Sequence, residues 1–213
     1  MRKGLAISCA LLLFCLACFG CSEKSAEALG PEEFYLYSEA SAPISPADTG
    51  GEFTITKSGV ATGSSGIDGG KYEGQTFRSK RGIALGSSLD QLAQAYPDLR
   101  FNVIYGQSEA FKVETGIPLK KIAGQAKKGA DIVFVLYSER RIEGQPISDR
   151  AFDAYCKEHG LDSLTLSSDP GKYGYECWSM IYGISGETVD SLSFTAICPA
   201  QPSASPSAPA AEG

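Results

Sequence analysis

Residues 130–138, ADIVFVLYS, constrain the chain more than any other stretch. Ile132, Val133, Phe134, Val135 and Leu136 are consecutive and apolar, which suits a strand buried on both faces. Such a strand needs neighbours. Residues 173–185 and 188–198 flank Gly186-Glu187, a spacing that predicts an antiparallel hairpin. Residues 101–105 read as a further strand, and Glu52-Phe53-Thr54-Ile55-Thr56 alternates with Phe53 and Ile55 on one face. Two helices are expected. Ser88-Leu89-Asp90-Gln91 is a capping box, and Leu89, Leu92 and Tyr96 follow at helical spacing until Pro97. In residues 148–159, Phe152, Tyr155, Cys156 and His159 share a face, and Gly160 can end the helix. The expected fold is α+β: an antiparallel sheet with two short helices.

The ends of the chain have a different composition. Arg2 and Lys3 precede an uncharged apolar run, residues 4–20, and Cys21-Ser22-Glu23-Lys24 follows. A basic start, an apolar run and small residues before a cysteine read as an export signal. A cysteine at that point resembles the bacterial lipoprotein pattern, which implies acylation of the Cys21 thiol and attachment to the extracytoplasmic face of the cell membrane. Cys18, after Leu16 and Ala17, is the alternative lipidation site. Cleavage after Ala28, giving a secreted protein, and an uncleaved anchor are competing outcomes.

The expected organisation is a signal peptide over 1–20, a flexible tether over 21–51, a globular domain over 52–198 and a disordered Pro/Ala/Ser tail over 199–213. Within the tether, residues 33–37 could form a short strand. A chain of 213 residues with these ends leaves enough material for one core. Its net charge of −6 excludes nucleic acid as the main partner, and loss of Arg2 and Lys3 with the leader takes it to −8. The expected partners are therefore the membrane, through the lipid, and a protein or cell-wall component.

Seven cysteines are present. Cys9, Cys15, Cys18 and Cys21 belong to the leader, which leaves Cys156, Cys177 and Cys198 in the body. Export would place them in an oxidising compartment. A hairpin around Gly186-Glu187 brings Cys177 and Cys198 opposite or diagonal to one another, which makes them the expected disulfide. A bridge from Cys156 to either one, or three free buried thiols, are the alternatives. Their spacing lacks a CxxC pair, so no metal site is expected.

Reactive chemistry has few carriers here. His159 is the single histidine, and its place in the last helical turn suits a helix cap. Gly69-Gly70-Lys71-Tyr72 lacks the spacing and the following helix of a phosphate loop, and Asp68 alone is no calcium site. No catalytic residue and no cofactor are expected; a cell-envelope hydrolase using carboxylates such as Asp131 or Glu139 is the alternative. Arg78, Lys80 and Arg81 make a basic patch that could receive a partner, and Lys120, Lys121, Lys127 and Lys128 make another. Tyr105, Tyr137, Tyr173, Tyr175, Trp178 and Tyr182 are expected mainly to pack across strands.

Residues 76–89, TFRSKRGIALGSSL, with Leu92 and Tyr96, resemble a module of uncharacterised Gram-positive lipoproteins in which an RGI-x-x-G-x-S turn launches a short helix ending in Tyr. The same segment is more distantly similar to the SmpA/OmlA and β-lactamase-inhibitory-protein-like fold, where a Gly-containing turn and helix precede an antiparallel sheet. The resemblance implies a small scaffold that binds other proteins.

Overall fold

The computed structural model describes residues 29–39, 42–62, 72, 74–106 and 111–198. The leader with Cys18 and Cys21, the loop residues Asp68 and Lys71, and the tail over 199–213 lie outside the described residues.

The fold is α+β, built on an antiparallel sheet as the apolar runs require. β2 (Glu52–Thr56), β3 (Gly59–Thr62), β5 (Arg100–Tyr105), β6 (Lys112–Pro118), β7 (Ile132–Ile142), β9 (Tyr175–Ser185) and β10 (Thr188–Ile197) lie in the order β3-β2-β10-β9-β7-β5-β6. β8 (Gln145–Ile147) folds back on the end of β7. Strands β7 and β9 are central, eleven residues each, and pair from Phe134↔Gly183 to Ile142↔Tyr175. A second, two-stranded sheet joins β1 (Leu36–Tyr37) to β4 (Arg78–Ser79).

One face of the large sheet carries the main core. Tyr182, Phe194, Phe53 and Phe101 are fully buried there, covered by α1 (Leu89–Ala95) and α2 (Leu119–Ala126). Helix α1 starts where the capping box puts it: the Ser88 hydroxyl accepts from the Gln91 N–H, and the Gln91 carbonyl accepts from the Ser88 N–H. Two helices were too few. Leu119, Ile122, Ala123 and Ala126 of α2 are buried at the i, i+3, i+4, i+7 spacing of a helix seated on a core. The opposite face carries a smaller cluster. There α3 (Asp149–His159), α4 (Ser163–Ser168) and α5 (Pro170–Tyr173) surround Phe152, Cys156, Leu166, Tyr175 and Cys177. Gly160 ends α3 in the left-handed conformation, as the sequence predicts.

Two expectations are corrected here. The body does not begin at residue 52: Leu29, Phe34, Leu36 and Ile44 all belong to the main core, so the described residues of the expected tether over 21–51 are part of the body. Cys156 and Cys177 are free buried thiols, so the expected Cys177–Cys198 bridge is not formed. The turn at Gly186-Glu187 pairs Ser185 with Thr188, but an irregularity between Val189 and Ser191 then shifts the register by one residue. Cys177 therefore faces Ile197. Ile197 and Cys177 pack into the smaller cluster, while Cys198 points through the sheet to the main core. Successive strand residues face opposite ways, so a one-residue shift puts the two thiols on opposite faces.

Candidate functional site

The segment 29–37 crosses the main face as a strap, and four interactions fasten it. The first is a clamp on its backbone. Glu139 and Arg141 are two residues apart on β7 and so project from the same face. The Arg141 Nε donates to Glu139 Oε1 at 2.9 Å, and Nη2 reaches the same oxygen at 2.6 Å. Both side chains are nearly inaccessible, 7% for Glu139 and 10% for Arg141. Both also bond to one residue of the strap. The Leu29 N–H donates to Glu139 Oε2 at 2.8 Å, and the Leu29 carbonyl accepts from Arg141 Nη2. A buried charge pair needs its remaining donors and acceptors satisfied, and the Leu29 backbone meets part of that need. The Tyr137 hydroxyl lies 3.4 Å from Glu139 Oε2, and burial with the neighbouring carboxylate pushes its pKa up.

Aromatic packing is the second fastening. Phe34 is fully buried, stacked on Tyr137 at 6.2 Å and tilted against Trp178 at 6.0 Å. Backbone pairing is the third: Leu36 pairs with Ser79 of β4 and exchanges hydrogen bonds with Ile44 at 3.0 and 2.8 Å.

The fourth fastening draws on the basic patch. Lys80 Nζ donates to Glu32 Oε1 at 2.8 Å, and Arg81 Nε and Nη2 reach the two oxygens of Glu33 at 3.0 and 3.3 Å. Arg78 approaches Glu39 at 3.9 Å. Arg81 also donates to the Ala95 carbonyl at 2.8 Å and lies 4.7 Å above the Tyr96 ring, tying the strap to the end of α1. The hydrogen bond from Lys80 holds the Glu32 carboxyl below the usual carboxylate range. Arg78, Lys80 and Arg81, the patch that could receive a partner, lie beside acids of the same chain: Lys80 and Arg81 pair with Glu32 and Glu33 of the strap, while Arg78 stays half-exposed near Glu39. The turn that presents them is built on glycines: Gly82 and Gly86 take φ +82 and +85, and the Ser79 N–H donates to the Ile83 carbonyl at 2.7 Å.

At the other end of the sheet lies an open cleft of about 560 Å³. The turn between β2 and β3 forms one wall with Thr56, Lys57 and Ser58, and Tyr72, Gln75 and Thr76 contribute the other. Tyr72 is held edge-on against Phe53 and Phe77, at 5.2 and 5.9 Å. The cleft thus offers an exposed ammonium, hydroxyls and an aromatic wall. Its described lining holds no carboxylate, imidazole or thiol.

The residues named for hydrolytic chemistry are not brought together. Asp131 precedes β7 at the cleft end, while Glu139 sits in the clamp, ~26 Å along the strand at ~3.3 Å per residue. His159 stacks on Tyr155 at 4.3 Å, with Nδ1 2.9 Å from the Tyr155 carbonyl oxygen, in the last turn of α3. Lys120, Lys121 and Lys128 are exposed on and beside α2, and Lys127 pairs with Asp90 of α1 at 2.6 Å. Tyr105, Tyr175, Trp178 and Tyr182 are buried, while Tyr137 and Tyr173 are half-buried. Among the described residues, no group of three or more His, Cys, Asp or Glu could hold a metal, and no helix is long and apolar enough to cross a membrane.

No known protein family, curated protein or solved structure matches the chain.

Proposed function

We propose that this protein is a lipid-anchored, extracytoplasmic binding or scaffolding module, attached through Cys21 and engaging a protein or cell-envelope component. The leader and its terminal cysteine support the attachment. Two or three acyl chains at about 0.8 kcal/mol per buried methylene hold such a protein on the bilayer without help from its own surface, which carries net negative charge. The observation that carries the binding role is the cleft: Lys57, Thr56, Ser58 and Tyr72 supply charge, hydrogen bonds and ring contact to a ligand, and the described lining holds no carboxylate, imidazole or thiol.

Two measurements test this reading. Cys21→Ser should move the protein from the membrane fraction to the medium, and continued lipid labelling of that variant would transfer the anchor to Cys18. A photo-crosslinker at Ser58 on intact cells should capture a defined species that one at Gln145, at the opposite end of the sheet, does not. Equal capture from both positions would refute a binding role for the cleft.

A further inference from the structure

The clamp on Leu29 has a consequence for how the module stands on its membrane. We infer that the strap end of the sheet faces the bilayer and the cleft end is held away from it. This rests on the proposed acylation of Cys21.

Leu29 is eight residues beyond Cys21. Eight residues span at most ~29 Å fully extended, and unstructured chains of that length average about 16 Å end to end. The leash ends abruptly, because both polar atoms of the Leu29 backbone are bonded to the buried Glu139–Arg141 pair. Without the clamp and the buried Phe34, the leash would run on toward residue 51 and let the domain tumble.

The sheet fixes what lies beyond that point. Glu139 pairs with Trp178 on β9, and the strand from Trp178 to Ser185 covers ~23 Å at ~3.3 Å per residue. At its far end stand the Gly186-Glu187 turn and the turn between β2 and β3 that walls the cleft, since Thr56 pairs with Ser191 and Ser191 with Gly183. Inverting the domain would require the leash to run the length of the sheet at close to full extension. Few of its conformations do so, whereas the upright arrangement accepts nearly all of them. The cleft then opens toward whatever lies outside the membrane.

Energy transfer from the single tryptophan tests this orientation. Full-length lipidated protein is placed in phosphatidylcholine vesicles bearing a dansylated headgroup lipid. Trp178 reports the strap end. The double variants Trp178→Phe/Gln145→Trp and Trp178→Phe/Glu187→Trp move the donor to exposed sites at the strap end and the cleft end. Transfer from positions 178 and 145 should exceed that from 187 by at least about three-fold, given the ~23 Å between the ends. Lengthening the leash by ~20 Gly/Ser residues between Ser22 and Ala28 should bring the values together. Equal transfer from 145 and 187 with the natural leash, or a difference that survives the long one, overturns the inference. Failure of the protein to float with the vesicles overturns the acylation on which it rests, and is read separately by flotation.

Discussion

The strap and the α3–α5 layer cover opposite faces of the same end of the sheet, and they are held by different means. The strap contributes few residues, but a buried ion pair grips its backbone and Phe34 seats its side chain among Tyr137 and Trp178. Helices α3–α5 contribute more chain and bury little: Phe152, Cys156 and Leu166 are their buried residues, against Tyr175 and Cys177 of β9. Directional bonds fix the strap at one register. The helical layer rests on apolar contact, which has no preferred register and weakens as the cluster shrinks. Arg140 is the exception. Buried beside that cluster, it lies 4.2 Å over the Phe152 ring and 3.3 Å from Asp149, tying α3 to β7.

If this contrast holds, removing the strap's anchor should unfold the whole molecule. Phe34→Ala empties a fully buried ring site, and global stability should fall by about 3–5 kcal/mol in urea titration. Retention of the parent midpoint would mean that the strap is peripheral. Glu139→Gln should cost about 3 kcal/mol, because Arg141 keeps its charge and loses the partner that neutralised it. Amide exchange at Leu29 should accelerate in that variant, and unchanged protection there would deny the clamp its role.

The helical layer should open alone. Phe152→Ala is expected to cost about 2 kcal/mol, limited by local opening, with β7 and β9 still protected in hydrogen exchange. Thiols supply a second reading of that opening. Burial pushes the pKa of both Cys156 and Cys177 up, which keeps them protonated and slow to react. Both should become reactive toward maleimide in Phe152→Ala without global unfolding, and loss of all protection at once would merge the two regions into one cooperative unit. In the parent, Cys198 should label first, and non-reducing peptide mapping should find no Cys177–Cys198 link.

The smallest effect belongs to the strap's outer pair. The Glu32 carboxyl is held down by Lys80, so its contribution is present above the ordinary carboxylate pKa and is lost as pH falls through the lowered value. Lys80 is raised by the same contact and keeps its charge until strongly alkaline pH. Protease access to the strap should therefore rise slightly below about pH 4, and Glu32→Gln should abolish that dependence. At about 0.5 M salt the difference between the two proteins should shrink toward nothing. A dependence that persists in Glu32→Gln assigns it to other carboxylates.

Much of the sheet was legible because strand periodicity and turn chemistry are local. The hairpin at Gly186-Glu187, the β7 run and both capped helices stand close to their predicted bounds. Helix α2 was legible too: LKKIAGQA between Pro118 and Gly129 carries a helical apolar spacing alongside its lysines. The strap was not. Phe34 and Leu36 lie among Ser, Ala, Glu and Pro, a composition that reads as linker, and their partners Tyr137 and Ser79 are remote in sequence. The same distance hid the fate of Arg78, Lys80 and Arg81, since Glu32 and Glu33 precede them by more than forty residues.

By itself the sequence determined the class of fold, the hairpin, the capping box and the left-handed glycine turn, all set by contacts within a few residues or by the side-chain alternation of a strand. Only the tertiary structure decided where the body begins, which charges meet, and that Cys177 and Cys198 part to opposite faces. Each of those turns on a long-range register: a one-residue shift near Asp190, or a backbone docked on a pair of side chains more than a hundred residues away. Register is an outcome of packing the whole sheet, and no local stretch of chain contains it.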